Sequence, residues 1–232
     1  MKKMVIDFIK SPLFSPIDDR KLAISLFFRT LGLYLLLLFP LTILIAFTIL
    51  IAKMFGFEYS FFDTLTNYKN DFGINLFLLV GLYAPCLEET AFRLWLSFKK
   101  THISIGLAVL VFAFGNSVIE IDKNQLVSLF ILLGFSLTVG VFLLIFIKQS
   151  LLSKWQERYG KAIVYFISLL FVFIHIFNHS PLYFKFAGVY LIFLLPILLL
   201  TILITFLRMR VGFFAGVIFH ILVNSCSLLL SS

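Results

Sequence analysis

The sequence predicts an all-α membrane protein, a polytopic bundle of about seven transmembrane helices. Three observations carry that expectation. Hydrophobic residues make up 62% of the 232 residues and charged residues only 13%, with a mean hydropathy of +1.11. A soluble domain of this size has no interior large enough to hide so much apolar surface, 31 phenylalanines included. The apolar residues also come in runs long enough to cross a hydrocarbon layer, separated by clusters of lysine and arginine.

The runs fall at 22–52, 73–98, 103–119, 126–147, 162–178, 186–206 and 213–230. The first is overlong and holds Arg29 and Pro40, which predicts a tilt or a kink. The third and fifth are short. Between the fourth and fifth, Lys148 to Lys161 carries Leu151, Leu152, Trp155 and Tyr159, a pattern for an interfacial amphipathic turn of helix. Residues 1–21 read as a cytoplasmic segment and 22–232 as one membrane-embedded domain, with no internal repeat. Lys2 and Lys3 are followed by Asp7, Pro12 and Pro16 rather than by a short apolar core with a cleavage site, so the first helix is read as its own signal.

With seven crossings, most of the 19 basic residues fall on the side of the N-terminus. Only Lys53, Lys69, Lys123 and Lys185 fall opposite, which predicts N-in, C-out. The net charge of +8 therefore reads as topology and not as a nucleic-acid surface. Cys86 and Cys226 lie in apolar segments without a CxxC spacing, which argues against a disulfide framework and for inert thiols.

Against this background the polar residues inside the runs stand out, because a charge at the centre of a membrane helix costs ~3 kcal/mol or more. Glu88 and Glu89 begin an E-E-x-x-x-R pattern ending at Arg93. Phe171 to His175 is F-x-x-x-H, and His220 to Asn224 is H-x-x-x-N. Glu89 and Arg93 are i, i+4 on one helix face, as are His220 and Asn224. Measured from the cytoplasmic helix ends, Glu88 lies ~15 Å deep, His220 ~11 Å and His175 ~20 Å. Helices running in different directions thus deliver these groups to one layer, expected to face the bundle interior and to open towards the cytoplasm.

Two carboxylates, two histidines and an amide in one buried layer suit hydrolysis of an amide bond by activated water. A carboxylate stripped of solvent is a better general base. Histidine shares proton transfer or binds a metal as neutral imidazole. Histidine and asparagine together can donate to a developing oxyanion.

The three patterns, in this order and each on its own helix, resemble the CAAX protease and bacteriocin-processing (CPBP, or Abi) family. These are intramembrane glutamate-dependent endopeptidases related to the type II CAAX prenyl endopeptidase. The resemblance covers 73–230. It implies that Glu88 activates water, that Glu89 and Arg93 support the motif helix as an ion pair, that His175 shares the water, and that His220 and Asn224 stabilise the oxyanion. It leaves the metal requirement open; a metal-bound version would take Glu88, His175 and His220 as ligands to zinc, with one open position. The implied substrate is a lipidated or membrane-borne peptide, and short loops with a Phe/Ile/Leu/Lys-rich composition point to a bacterial inner membrane.

Each residue also has a plainer reading. Glu89 with Arg93 is a structural ion pair, and the histidines are inter-helix hydrogen bonds. His179, Asn116 and His102 are secondary candidates, and Phe171 reads as packing. Pro85 is expected to kink its helix and free a carbonyl towards the site. The rival class is a non-catalytic membrane protein: a proton- or cation-coupled transporter, or a scaffold in stress or bacteriocin immunity. Intramembrane Glu, His and Arg serve proton relays as well. The absence of an inverted repeat and of paired broken helices in the sequence argues against transport.

Overall fold

The computed structural model describes residues 6, 8, 17–57, 74–118, 125–179 and 182–230. Most of the 1–21 segment, Lys69, Lys123 and the Asn116 side chain lie outside these residues. Among them there is no strand; the chain is all-helical.

Helix α1 (Arg20–Met54) starts where Asp19 accepts backbone hydrogen bonds from Lys21 at 2.8 Å and Leu22 at 3.4 Å. It runs 35 residues through Pro40 as one helix. At 1.5 Å per residue it is ~52 Å long, well beyond a ~30 Å hydrocarbon layer. The second run is not one α-helix. A short turn (Ile74–Leu76) leads into a π-helical stretch (Phe77–Tyr83), then α2 (Ala84–Arg93), then a 3-10 turn (Leu94–Ser97). That turn ends at Phe98, a buried non-glycine residue at φ 53°. Gln149 holds the corner: its amide nitrogen donates to the Phe98 carbonyl and its oxygen accepts from the Lys100 N–H, both at 2.9 Å.

Helices α3 (Lys100–Val118) and α4 (Gln125–Phe146) pack side by side as a pair. Helix α5 (Gln149–Ile174) begins 13 residues before the expected 162. Leu151, Leu152, Trp155 and Tyr159 recur at helical spacing, so the basic stretch is the first half of α5 and not a separate interfacial turn. Hydropathy falls at Lys154, Glu157, Arg158 and Lys161, but helical hydrogen bonding does not. A 3-10 turn (His175–His179) follows. The sixth run divides into α6 (Ala187–Phe193) and α7 (Leu195–Arg210), and the break bends it by 40°. Pro196 in the first turn of α7 removes the hydrogen bond that would have carried the helix straight through. Helix α8 (Phe213–Leu230) closes the bundle.

Helix α7 is the central post, with Leu200, Leu203, Ile204, Phe206 and Leu207 all buried. They pack with Leu26 and Tyr34 of α1, and with Phe219 and Val223 of α8. Phe8 joins them edge-on to Phe206, ring centroids 5.5 Å apart, so this residue of the N-terminal segment belongs to the core. A second cluster joins Ala91, Phe92 and Leu96 to Val164, Ile167 and Phe171 of α5. The outer surface is apolar nearly throughout, with Phe28, Phe39, Phe130, Phe146 and Phe166 more than 60% exposed. Such a surface needs lipid.

Three helices are long and apolar enough to cross a membrane (Arg20–Met54, Val127–Phe146 and Gln149–His179), and a fourth if the bent α6–α7 pair is one span. By length and composition the chain is a helical membrane protein. Lys100–Gly115 and Phe213–Leu229 are apolar but shorter.

The crossing of α2 and α3 depends on Gly106. A Cβ there would sit 2.6 Å from Trp95 Cδ1 and 3.0 Å from the Thr90 carbonyl oxygen. The Trp95 indole is itself tied to the Ala91 carbonyl, so it cannot swing aside freely. Gly106→Ala is expected to destabilise the protein by about 1–3 kcal/mol, seen as a lower unfolding midpoint in detergent.

Candidate active site

Pro85 sets the local geometry. In the π-helical stretch hydrogen bonds run five residues back, and the Ala84 N–H donates to the Leu79 carbonyl. The next bond in that register would reach from residue 85 to the Val80 carbonyl, but proline has no N–H. Val80 O is therefore freed, and it accepts from Asn224 Nδ2 at 3.2 Å. The carbonyl expected from Pro85 exists; it anchors α8 to the motif helix.

One turn later the glutamates project inward. Arg93 Nη1 donates to Glu89 Oε1, and both side chains are about 2% exposed or less. The guanidinium lies 4.3 Å above the Phe171 ring, and its Nε points at Thr205 Oγ1, 3.4 Å away. Ser168 Oγ lies 3.5 Å from the same hydroxyl.

Glu89 Oε1 also lies 2.8 Å from His220 Nδ1. A carboxylate only accepts, so this ring nitrogen carries the proton, and Nε2 is left facing Glu88 Oε2 at 3.6 Å. His175 repeats the arrangement. Its Nδ1 donates to the Phe171 carbonyl at 2.8 Å, leaving Nε2 3.9 Å from the same Glu88 oxygen. Glu88 Oε2 is buried and has no hydrogen-bond partner, although the side chain is 29% exposed. Two imidazole nitrogens thus face one carboxylate oxygen that has no donor of its own, a place where a hydrogen-bond donor such as water is satisfied.

The expected residues Glu88, His175 and His220 therefore meet. Glu89 does more than pair with Arg93: it orients His220 across 131 positions of sequence. Asn224 gives one of its two N–H groups to the Val80 carbonyl. His179 packs on Phe193 at 5.1 Å and stacks on Tyr190 at 6.4 Å. His102 lies 2.8 Å from Ser97 Oγ at the α2–α3 corner. Cys86 and Cys226 are free thiols. Among the described residues no group of three His, Cys, Asp or Glu side chains is disposed to hold a metal ion, and this includes the expected zinc set Glu88, His175 and His220.

Thr205 and Ser168 were not legible as site elements, nor was it legible that the carbonyl freed by Pro85 is that of Val80. The hydroxyls sit in ordinary apolar runs, and the role of Val80 depends on the π register. Phe171 lies under Arg93, 4.4 Å from the His175 ring and 6.2 Å from the His220 ring, a packing role that fixes all three.

The Pro85–Val80–Asn224 arrangement makes a testable cycle. Asn224→Ala should cost about 1 kcal/mol or more in a chain with Pro85, where Val80 O is left unpaired. In a Pro85→Ala background the restored N–H offers another donor, and the cost should shrink. Unfolding midpoints of the four proteins measure the coupling.

Comparison with protein-family models, with curated proteins and with solved structures finds no match to this chain.

Proposed function

We propose that this protein is an intramembrane endopeptidase of the CAAX protease and bacteriocin-processing type. The observation that carries the reading is Glu88 Oε2, buried, unpartnered and faced by the Nε2 atoms of His175 and His220. In this reading a substrate water donates to Glu88 and to one imidazole. As its oxygen attacks the peptide carbonyl carbon, Glu88 takes one proton and the C=O π pair moves onto the carbonyl oxygen as an oxyanion; on collapse that pair re-forms the C=O bond and the C–N bond breaks. The proton then passes to the leaving amine nitrogen as the tetrahedral intermediate collapses to acid and amine. Each imidazole receives through Nε2, since its Nδ1 is already a donor. The remaining water proton, on the new acid, passes to His220 Nε2, and the positive charge this places on the imidazole is met by Glu89, whose own charge is balanced by Arg93.

The topology that goes with this reading is seven crossings, N-terminus inside, in a bacterial inner membrane, with the site reached from the cytoplasm. The substrate is a membrane-borne or lipidated peptide. No nucleic acid is involved.

A second reading has one observation in its favour. The helix broken at Leu194, with the π-helical stretch before the glutamates, is the kind of discontinuity that ion-coupled transporters place beside their sites, although it is a single broken helix and not the pair such folds use. The test sets both readings side by side. Purified protein in proteoliposomes is given membrane-anchored peptides and, separately, a pH gradient. Peptide cleavage without proton flux supports the peptidase; flux without cleavage by any peptide of the panel overturns it.

A further inference from the structure

Helix α7 should be apolar throughout if it merely packs at the centre of the bundle. It is not. Thr201, Thr205 and Arg208 stand at i, i+4 and i+7, a single face. Thr201 and Thr205 are 0% and 1% exposed. Thr205 touches Arg93 and Ser168, whereas Thr201 Oγ1 is buried with no hydrogen-bond partner. At the basic end of the helix Arg208 Nε is likewise buried without a partner, while the guanidinium lies 5.6 Å from the Phe213 ring. In the site itself Glu89 Oε2 and Arg93 Nη2 are in the same condition as Thr201 Oγ1.

Orphaned polar atoms in a protein interior are costly singly, and a group of them along one seam is satisfied by internal water. We propose that the Thr201–Thr205–Arg208 face of α7, with Ser168 of α5, lines a water-filled seam from the basic end of α7 to the buried Glu89–Arg93 pair. Arg208 forms the mouth and Thr205 the waist. The seam supplies water and exchangeable protons to the Glu89–Arg93 side of the site, whose side chains are 1% and 2% exposed against 29% for Glu88. It deepens the peptidase reading by naming the route of the second substrate, water, and it rests on that reading only for its purpose. The physical claim, that water enters, stands or falls separately.

The test exploits neighbours that are equally buried. In a chain with Cys86→Ala and Cys226→Ala, single cysteines replace Thr205, Thr201, Leu203 or Ile204. The leucine and isoleucine are 1% and 0% exposed, so burial is matched. Proteoliposomes are treated with a small, anionic, membrane-impermeant methanethiosulfonate, and adducts are counted by mass. A thiol reacts as thiolate, which apolar surroundings suppress and water with nearby arginines favours, so Thr205→Cys should label about tenfold or more faster than Leu203→Cys. Should the cysteine variants misfold, radiolytic footprinting of the unaltered protein decides. Phe171 beside Arg93 should oxidise several-fold more than Phe206 and Phe219, although all three are 1% exposed or less. Equal labelling at all four cysteines, or equal oxidation of the three phenylalanines, overturns the seam. Neither readout uses peptidase activity, so a sealed active peptidase and a hydrated protein of other function give different results.

Discussion

Glu88→Gln is expected to lower peptide cleavage by about a thousandfold or more while leaving the bundle folded. The substitution keeps size and replaces one carboxylate oxygen by an amide group. Either amide rotamer removes the base: the oxygen of a primary amide does not take a proton from water near neutral pH, and the amide nitrogen is a donor. A donor there would face both Nε2 atoms, which lie 3.9 Å and 3.6 Å from Glu88 Oε2, without the repulsion of a carboxylate lone pair. Stability should therefore stay equal or rise, because a desolvated, unpartnered carboxylate oxygen has been removed. Loss of turnover with an unchanged or higher unfolding midpoint is the signature to look for. Cleavage at the wild-type rate by purified Glu88→Gln would end the assignment.

Arg93→Met is expected to have the largest effect on stability, about 3–5 kcal/mol. Methionine fills much of the same space above Phe171, so the loss is electrostatic. It leaves Glu89 as a buried charge with only His220 to answer it. The double variant Glu89→Gln/Arg93→Met should recover most of the unfolding midpoint, since no charge is then stranded. It should recover little activity, because His220 has lost the anion that meets its positive charge during turnover. A pair that was only a structural clip would regain both together. Reversible unfolding in detergent, alongside kcat for the same preparations, separates the two outcomes.

What could be read directly from the sequence was local. Glu89 and Arg93, four residues apart in a helix, had to share a face, and the Arg93 to Glu89 bond is there. The common depth of Glu88, His175 and His220 came from counting residues to charged ends, and their side chains do meet. Contacts with no local period were hidden. Nothing near Glu89 announces His220, and nothing near Thr205 announces Arg93, because both pairings depend on how α2, α7 and α8 cross. Helix ends were misplaced for a different reason. Hydropathy marks where lipid would end, whereas hydrogen bonding marks where the helix ends, and α5 runs on through Lys154, Arg158 and Lys161. The π register before Pro85 is the hardest feature to read, since its only trace is a proline that a kink explains equally well.

That π-helical stretch bears on how the chain tolerates length changes. A wide turn carries more residues per revolution than an α-helix, so it behaves as an insertion absorbed without displacing the helix downstream. Residues between Phe77 and Tyr83 form a length buffer: a one-residue deletion there can be taken up by tightening the turns, and Glu88 and Glu89 still point inward. A deletion between Glu89 and Arg93 has no such reserve. It would rotate the glutamates by ~100° relative to Arg93 and turn the carboxylates towards lipid. The chain thus places its slack immediately upstream of its least movable residues.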